Sequence, residues 1–84
     1  MGISSAQLRA ARALLRWSAQ ELANASKVGV ATIRRVEVID GEIPVTSANE
    51  AALRKALEAA GVVFIDENGG GSGVRFRKPA KPKR

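Results

Sequence analysis

The chain has 84 residues, with 14 Lys and Arg against eight Asp and Glu, which gives a formal charge of +6 and a pI near 10.9. It contains no cysteine and no histidine, which excludes disulfides, thiolate nucleophiles, imidazole bases and the usual zinc ligands. One small core is all that a chain of this size can form, so self-association is expected. The positive charge favours nucleic acid as the partner, although small basic proteins also bind membranes and acidic proteins.

The N-terminus lacks the charged start and apolar run of a signal peptide. No stretch of the sequence approaches the ~18 apolar residues that a membrane span requires. We therefore expect a cytoplasmic protein that makes no membrane contact.

Three helix starts are marked by a Ser followed three residues later by Gln or Glu, the pattern of a capping box. The three pairs are Ser4/Gln7, Ser18/Glu21 and Ser47/Glu50. In the first helix, apolar residues at helical spacing predict one apolar face, and basic residues at the same spacing predict a second, basic face. The apolar residues are Leu8, Ala11 and Leu15, and the basic residues are Arg9, Arg12 and Arg16.

A second helix is predicted over residues 19–26, with Leu22 as its main core residue. After a short interruption, Val30, Ile33 and Val36 resume helical spacing, with Gly29 as an acceptable N-cap. This third helix is expected to run for about three turns and to end at Asp40-Gly41.

The fourth helix is predicted from Ala48 to Ala60, with an apolar stripe through Leu53 and Leu57 and with Gly61 as its C-terminal cap. Residues 62–65 and 74–77 then show β-strand character on either side of a glycine-rich connection, which predicts a hairpin or two pairing strands. The glycine run has no following helix or P-loop lysine, so a phosphate-binding role is not expected.

Three segments follow from this pattern: a helical domain over 1–61, a strand appendage over 62–77 and a disordered basic tail over 78–84. Residues 1–61 carry eight basic and six acidic groups, a net charge of +2, whereas residues 62–84 carry six and two, a net charge of +4. Most of the excess charge therefore lies in the C-terminal part.

At Leu8-Arg9, Ser18 to Ala23 and Thr32 to Glu37 the sequence resembles the Cro/C1-type helix-turn-helix family, also called the XRE family. The resemblance covers about residues 5–61. It implies a mainly α, lambda-repressor-like bundle of about four helices, to which the C-terminal strands would be added. It also implies binding to double-stranded DNA, with the third helix in the major groove.

On this resemblance Ile33 and Val36 point inward, and the opposite face of the third helix meets DNA. Arg35 is the first candidate for a bidentate contact with guanine and Arg34 is its competitor; the alternative is that both bind phosphate only. Val30 and Ala31 would contact thymine methyls, unless Val30 is partly core. The expected DNA-binding residues are Ser18, Gln20, Lys27, Val30, Ala31, Thr32, Arg34 and Arg35.

Two positions depart from the family pattern. Ala19 replaces a Gln that contacts the DNA backbone, so Ser18 or Gln20 would have to substitute for it. Lys27 stands where the family prefers Gly, at a cost on the order of 1 kcal/mol that a DNA contact could offset. Trp17 is expected in the core rather than at a ligand. Further phosphate contacts are proposed for Arg9, Arg12, Lys78, Lys81, Lys83 and Arg84, with a simply solvated surface as the alternative.

The strand appendage replaces the fifth helix of the usual family member. Because an isolated hairpin is marginally stable, we expect it to pair across a two-fold axis in a homodimer, with a self-contained hairpin as the alternative. The residues expected in the dimer interface are Val62, Val63, Phe64, Ile65, Val74 and Phe76.

The expected function is that of a sequence-specific transcriptional regulator, a repressor or autoregulator, that binds a palindromic operator. The alternative is an antitoxin or partner-binding adaptor with secondary DNA binding. An enzyme is not expected, because the sequence has no nucleophile-base pair, metal cluster or phosphate loop. No cofactor, metal or small-molecule effector is expected either.

Overall fold

The computed structural model describes residues 2–78, which form four helices followed by two strands. The elements are α1 (Ser5–Leu15), α2 (Ala19–Ser26), α3 (Val30–Val36), α4 (Ser47–Ala59), β1 (Val62–Ile65) and β2 (Gly73–Phe76). The predicted mainly α architecture with about four helices and a C-terminal strand pair is confirmed. Of the predicted tail, only Lys78 falls within the described residues.

Two of the three predicted capping boxes are present. In α1 the Gln7 amide N–H donates to Ser4 Oγ at 3.0 Å and the Ser4 N–H donates to Gln7 Oε1 at 3.0 Å. In α2 the corresponding bonds join Ser18 and Glu21 at 3.0 and 2.7 Å. Each box satisfies N–H groups that a helix start leaves without an intrahelical partner.

The third predicted box, Ser47/Glu50, is wrong. Thr46 is the N-cap of α4, and its hydroxyl accepts the Asn49 N–H at 3.0 Å, so Ser47 is already the first helical residue. The Glu50 carboxylate is used elsewhere, because it accepts the Ile3 N–H at 2.9 Å. The helix therefore begins one residue earlier than predicted, and the acidic residue of the predicted box binds a distant segment instead.

The third helix is shorter than expected. It ends at Val36, and Glu37 rather than Asp40-Gly41 follows it as the C-cap. The chain then turns onto the start of α1, where the Ser5 N–H donates to Gly41 O at 2.9 Å and the Ser5 hydroxyl donates to Ile39 O. Gly41 has a φ of +81°, a left-handed conformation that glycine adopts without strain.

All four helices and the hairpin contribute to one hydrophobic core. Leu8, Leu22, Ile33 and Leu53 have no exposed surface, as the apolar spacing of each helix predicts. Val62 at the start of β1 is equally buried. Trp17 is half-buried and packs against this core, which confirms its predicted position.

The two strands form an antiparallel hairpin that packs on α1 and α4. Val62 pairs with Phe76 and Phe64 pairs with Val74. Gln7, which is buried, fastens the other end of the hairpin: its Nε2 donates to Ile65 O at 3.2 Å and to Gly73 O at 3.1 Å. The hairpin is therefore joined to the helices within one chain.

Candidate nucleic-acid interface

Residues 27–29 connect α2 to α3 and set the direction of the shorter helix. Lys27 has a φ of +66°, the left-handed conformation expected at this position, and its side chain is exposed. Val28 is buried, and its N–H donates to Ser26 Oγ at 3.2 Å. Gly29 is the N-cap of α3, as predicted, without a side-chain hydrogen bond. One buried valine thus anchors the connection between the two helices.

The two faces of α3 differ sharply in exposure. Ile33 and Val36 are 0% and 1% exposed, as predicted for residues that point inward. Ala31, Arg34 and Arg35 are exposed on the opposite side. Within residues 2–78, the guanidinium groups of the two arginines make no hydrogen bond or ion pair. Two cations are thus held on a short helix whose other face is fixed in the core.

The remaining residues expected at DNA lie around this face in different environments. Val30 is half-buried and packs against the core, which is the alternative that the sequence left open for it. Thr32 is also half-buried. Ser18 and Gln20 are exposed at the start of α2, where Ser18 caps the helix and Gln20 Nε2 donates to Asn24 Oδ1 at 3.0 Å.

Arg12 is not a free surface cation. Its Nε and Nη2 donate to the two carboxylate oxygens of Glu37 at 2.8 Å each, and its Nη1 donates to Trp17 O at 2.7 Å. Glu37 is only 6% exposed. The hydrogen bonds to Glu37 raise the pKa of Arg12 above its ordinary value, although burial opposes them. Neither the phosphate role nor the solvated role expected for Arg12 fits these contacts.

Arg9 also holds the end of α3 and is not merely solvated. Its Nη1 donates to the main-chain carbonyl of Glu37 and, at 3.5 Å, to Ser5 Oγ. A guanidinium at the C-terminal carbonyls of a helix is favourably placed with respect to the helix dipole. Arg9 and Arg12 together therefore join α1 to the C-terminal end of α3.

These supporting contacts were missed from the sequence. Glu37 marked only the end of the motif, and nothing in the local sequence identified Ser5 or Gln7 as joining distant segments. The repeated spacing of Arg9 and Arg12 was the available signal, because two cations on one helix face can share one acidic partner. Glu37 lies 28 residues after Arg9 and 25 residues after Arg12, where no helical spacing rule reaches it.

The hairpin residues expected in a dimer interface divide between two faces. Residues that pair directly across an antiparallel ladder share a face, and neighbours along a strand alternate. Val62 is fully buried, and Phe64 and Val74 pack against the core, so these three face the helices of their own chain. By register Phe76 shares that face, whereas Val63 and Ile65 lie on the other one. Val62 thus has no surface to offer a second chain.

The basic residues near the C-terminus lie in different environments. Arg75 is exposed, and its Nη1 donates to Phe76 O at 3.0 Å and to Arg77 O at 3.4 Å. Arg77 donates to Glu58 O at the end of α4. Lys78 is exposed. The predicted phosphate contacts at Lys81, Lys83 and Arg84 lie outside the described residues.

An open pocket of about 190 Å³ lies beside the first turn of α1. The acidic side chains in its lining are Glu42, Asp66 and Glu67. Within residues 2–78, no group of three or more acidic side chains is arranged to hold a metal ion. The acidic lining would repel a polyanion, in contrast to the outward face of α3.

No helix within residues 2–78 is both long enough and apolar enough to cross a membrane. No protein-family model matches the chain, and no curated protein matches it either.

Proposed function

We propose that the chain is a sequence-specific DNA-binding regulator in which α2 and α3 form a helix-turn-helix and α3 enters the major groove. The main support for this proposal is the difference between the two faces of α3. Arg34 and Arg35 are exposed and have no partner within residues 2–78. Ile33 and Val36, on the opposite face, are buried. A helix in this setting is rigid on one side and cationic on the other. Those are the two properties that groove binding requires.

The dimensions of α3 support the same proposal. An α-helix with its side chains is about 10–12 Å across, which fits a major groove about 12 Å wide, and the 7 residues of α3 make about two turns. Ala31 and Arg35 lie one turn apart on the outward side. In our proposal Arg35 contacts guanine O6 and N7, Ala31 meets a thymine methyl, and Arg34 and Lys27 contact phosphates.

The contacts with Glu37 at the end of α3 give Arg9 and Arg12 a different role from the one predicted from the sequence. By holding Glu37, they fix the axis of α3 relative to α1 without contacting DNA themselves. A fixed axis lowers the entropic cost of placing Arg35 against one base pair. Arg9 and Arg12 are therefore proposed as positioning residues.

We further propose that the regulator binds a palindromic operator as a homodimer. A small single core and weak binding by one helix favour two copies, whose half-sites would be centred about 34 Å apart. Val63 and Ile65, on the outward face of the hairpin, are the apolar residues that a second copy would cover. Repression or autoregulation in the cytoplasm remains the expected role.

The proposal is tested by selecting duplexes from a random DNA library and measuring affinities for the selected site. Arg35→Ala is expected to weaken binding about tenfold or more and to relax the preference at one base pair, because it removes a bidentate contact. Lys55→Ala is the control. It removes one positive charge from an exposed residue of α4 and should leave the base preference unchanged.

Two results would contradict the proposal. One is that the wild-type chain enriches no sequence from the library. The other is that Arg35→Ala and Lys55→Ala weaken binding equally at every sequence, which would indicate general charge attraction and not base recognition.

A further inference from the structure

Among residues 2–78, Val38 is the large apolar residue with the greatest exposure: 82% of its surface is exposed. A single exposed valine needs no explanation by itself. Val38 differs because hydrogen bonds hold the chain on both sides of it. Arg9 and Arg12 bind Glu37 before it, and the Ser5 hydroxyl binds Ile39 O after it. The valine is therefore presented in a fixed position.

The position of Val38 continues the outward face of α3. α3 ends at Val36, but its C-cap Glu37 keeps right-handed dihedral angles, with φ −74° and ψ −13°, so Val38 follows the helix in a turn of the same hand. Successive helical residues are about 100° apart, which puts Val38 roughly 40° from Arg34 and 60° from Arg35 around the axis. Ala31 falls within the same arc. Ala31 and Val38 thus form an apolar strip on the outward face, and Arg34 and Arg35 lie on either side of it.

We propose that Val38 contacts the C5-methyl group of a thymine in the major groove, which extends the DNA-binding face beyond the end of α3. This inference rests on the proposed DNA binding. Val38 comes seven residues after Ala31, about two helical turns further along the chain. Thymine is the base whose major-groove edge carries an apolar group. A half-site would therefore contain one thymine opposite Ala31 and another opposite Val38.

The charge around Val38 favours DNA as its partner. Arg34 and Arg35 precede Val38 on the outward face, and both are exposed. A DNA duplex offers phosphates to the arginines and a methyl group to the valine between them.

The test uses the operator selected by the wild-type chain, with each thymine replaced in turn by deoxyuridine, which lacks the C5-methyl group. Affinities are measured for the wild type, for Val38→Ala and for Val38→Thr, which keeps one methyl group at the same place. One replacement is expected to weaken wild-type binding about three- to fivefold. The same replacement should have no further effect on Val38→Ala, and Val38→Thr should keep part of the sensitivity.

The inference is wrong if every deoxyuridine replacement weakens Val38→Ala as much as it weakens the wild type. That result would leave the proposed function intact, because the operator is still bound specifically. If no operator can be selected, the proposed function itself fails. Because Val38 is exposed, Val38→Ala should unfold at the wild-type temperature, which separates a lost contact from a damaged fold.

Discussion

Two regions of the molecule carry a pair of exposed arginines, and they use them differently. Arg75 and Arg77 in the hairpin region donate to main-chain carbonyls of Phe76, Arg77 and Glu58. Arg34 and Arg35 on α3 make no such bond within the described residues. The arginines of the hairpin region therefore donate to their own chain, while the side-chain donors of Arg34 and Arg35 have no acceptor within residues 2–78. Contacts, and not charge or exposure alone, distinguish the two regions.

The same contrast applies to the supporting residues. Gln7 holds the hairpin through two carbonyls, and Arg9 and Arg12 hold the end of α3 through Glu37. All three side chains come from α1. This helix thus supports the candidate DNA-binding face on one side and the hairpin on another.

The largest expected effect comes from breaking the support of α3. Glu37→Ala should lower the free energy of unfolding by about 3 kcal/mol, because it leaves the partly buried guanidinium of Arg12 without its bidentate partner. Denaturant unfolding followed by circular dichroism measures this loss. An Arg12→Leu/Glu37→Leu double variant is the control and should recover much of the stability, since no unpaired charge remains. A loss under about 1 kcal/mol for Glu37→Ala would show that the pair behaves as an ordinary surface ion pair.

A smaller effect is expected from separating the two faces of the hairpin. Phe64→Ala should cost about 2 kcal/mol of folding free energy, because Phe64 packs against the core and its ring lies 4.9 Å below the Arg54 guanidinium. Val63→Asp should leave the fold intact but abolish the proposed dimer. Light scattering with size-exclusion chromatography measures the mass, and thermal unfolding measures the stability.

The hairpin prediction has two ways to fail. If the wild-type chain is a monomer at the concentrations used for DNA binding, the proposed homodimer is wrong. If Val63→Asp unfolds the chain as readily as Phe64→Ala does, the assignment of the two faces is wrong.

Much of the fold could be predicted from the sequence because the signals are local. The Ser18 cap and the spacing of Leu8, Leu22 and Leu53 depend on residues within a turn or two, and they gave the helices correctly. The predicted cap of α4 was wrong: Thr46 is the N-cap, and Glu50 accepts the N–H of Ile3, 47 residues away. Such a contact exists only after the chain has folded, so no local pattern can report it.

The candidate site divides in the same way. Helical periodicity predicted that Ile33 and Val36 point inward. It also predicted that Arg34 and Arg35, on the other side of the same helix, are exposed. The contacts of Arg9 and Arg12 with Glu37 could not be predicted, because they join α1 to a turn more than 20 residues later in the sequence. The same limit applies to Val62 and Val63: strand alternation separates them, but packing decides which one faces the core.

The smallest expected effect is at the connection between α2 and α3. Lys27→Gly should stabilise the chain by about 0.5 to 1 kcal/mol, because glycine adopts a positive φ without the cost that a side chain incurs. If Lys27 also contacts a phosphate, the slope of log affinity against log salt should fall by about one. Thermal unfolding and a salt titration on one DNA site measure the two effects separately. An unchanged slope would contradict the phosphate contact, and a lower stability would contradict the strain.

The central claim is that α3, and not the hairpin, is the face that meets DNA. Backbone amide chemical shifts recorded while duplex DNA is added test this directly, because they report on every residue of both regions at once. The account predicts the largest shifts over residues 27–38, with residues 62–65 nearly unchanged. Large shifts along the hairpin with an undisturbed α3 would contradict it.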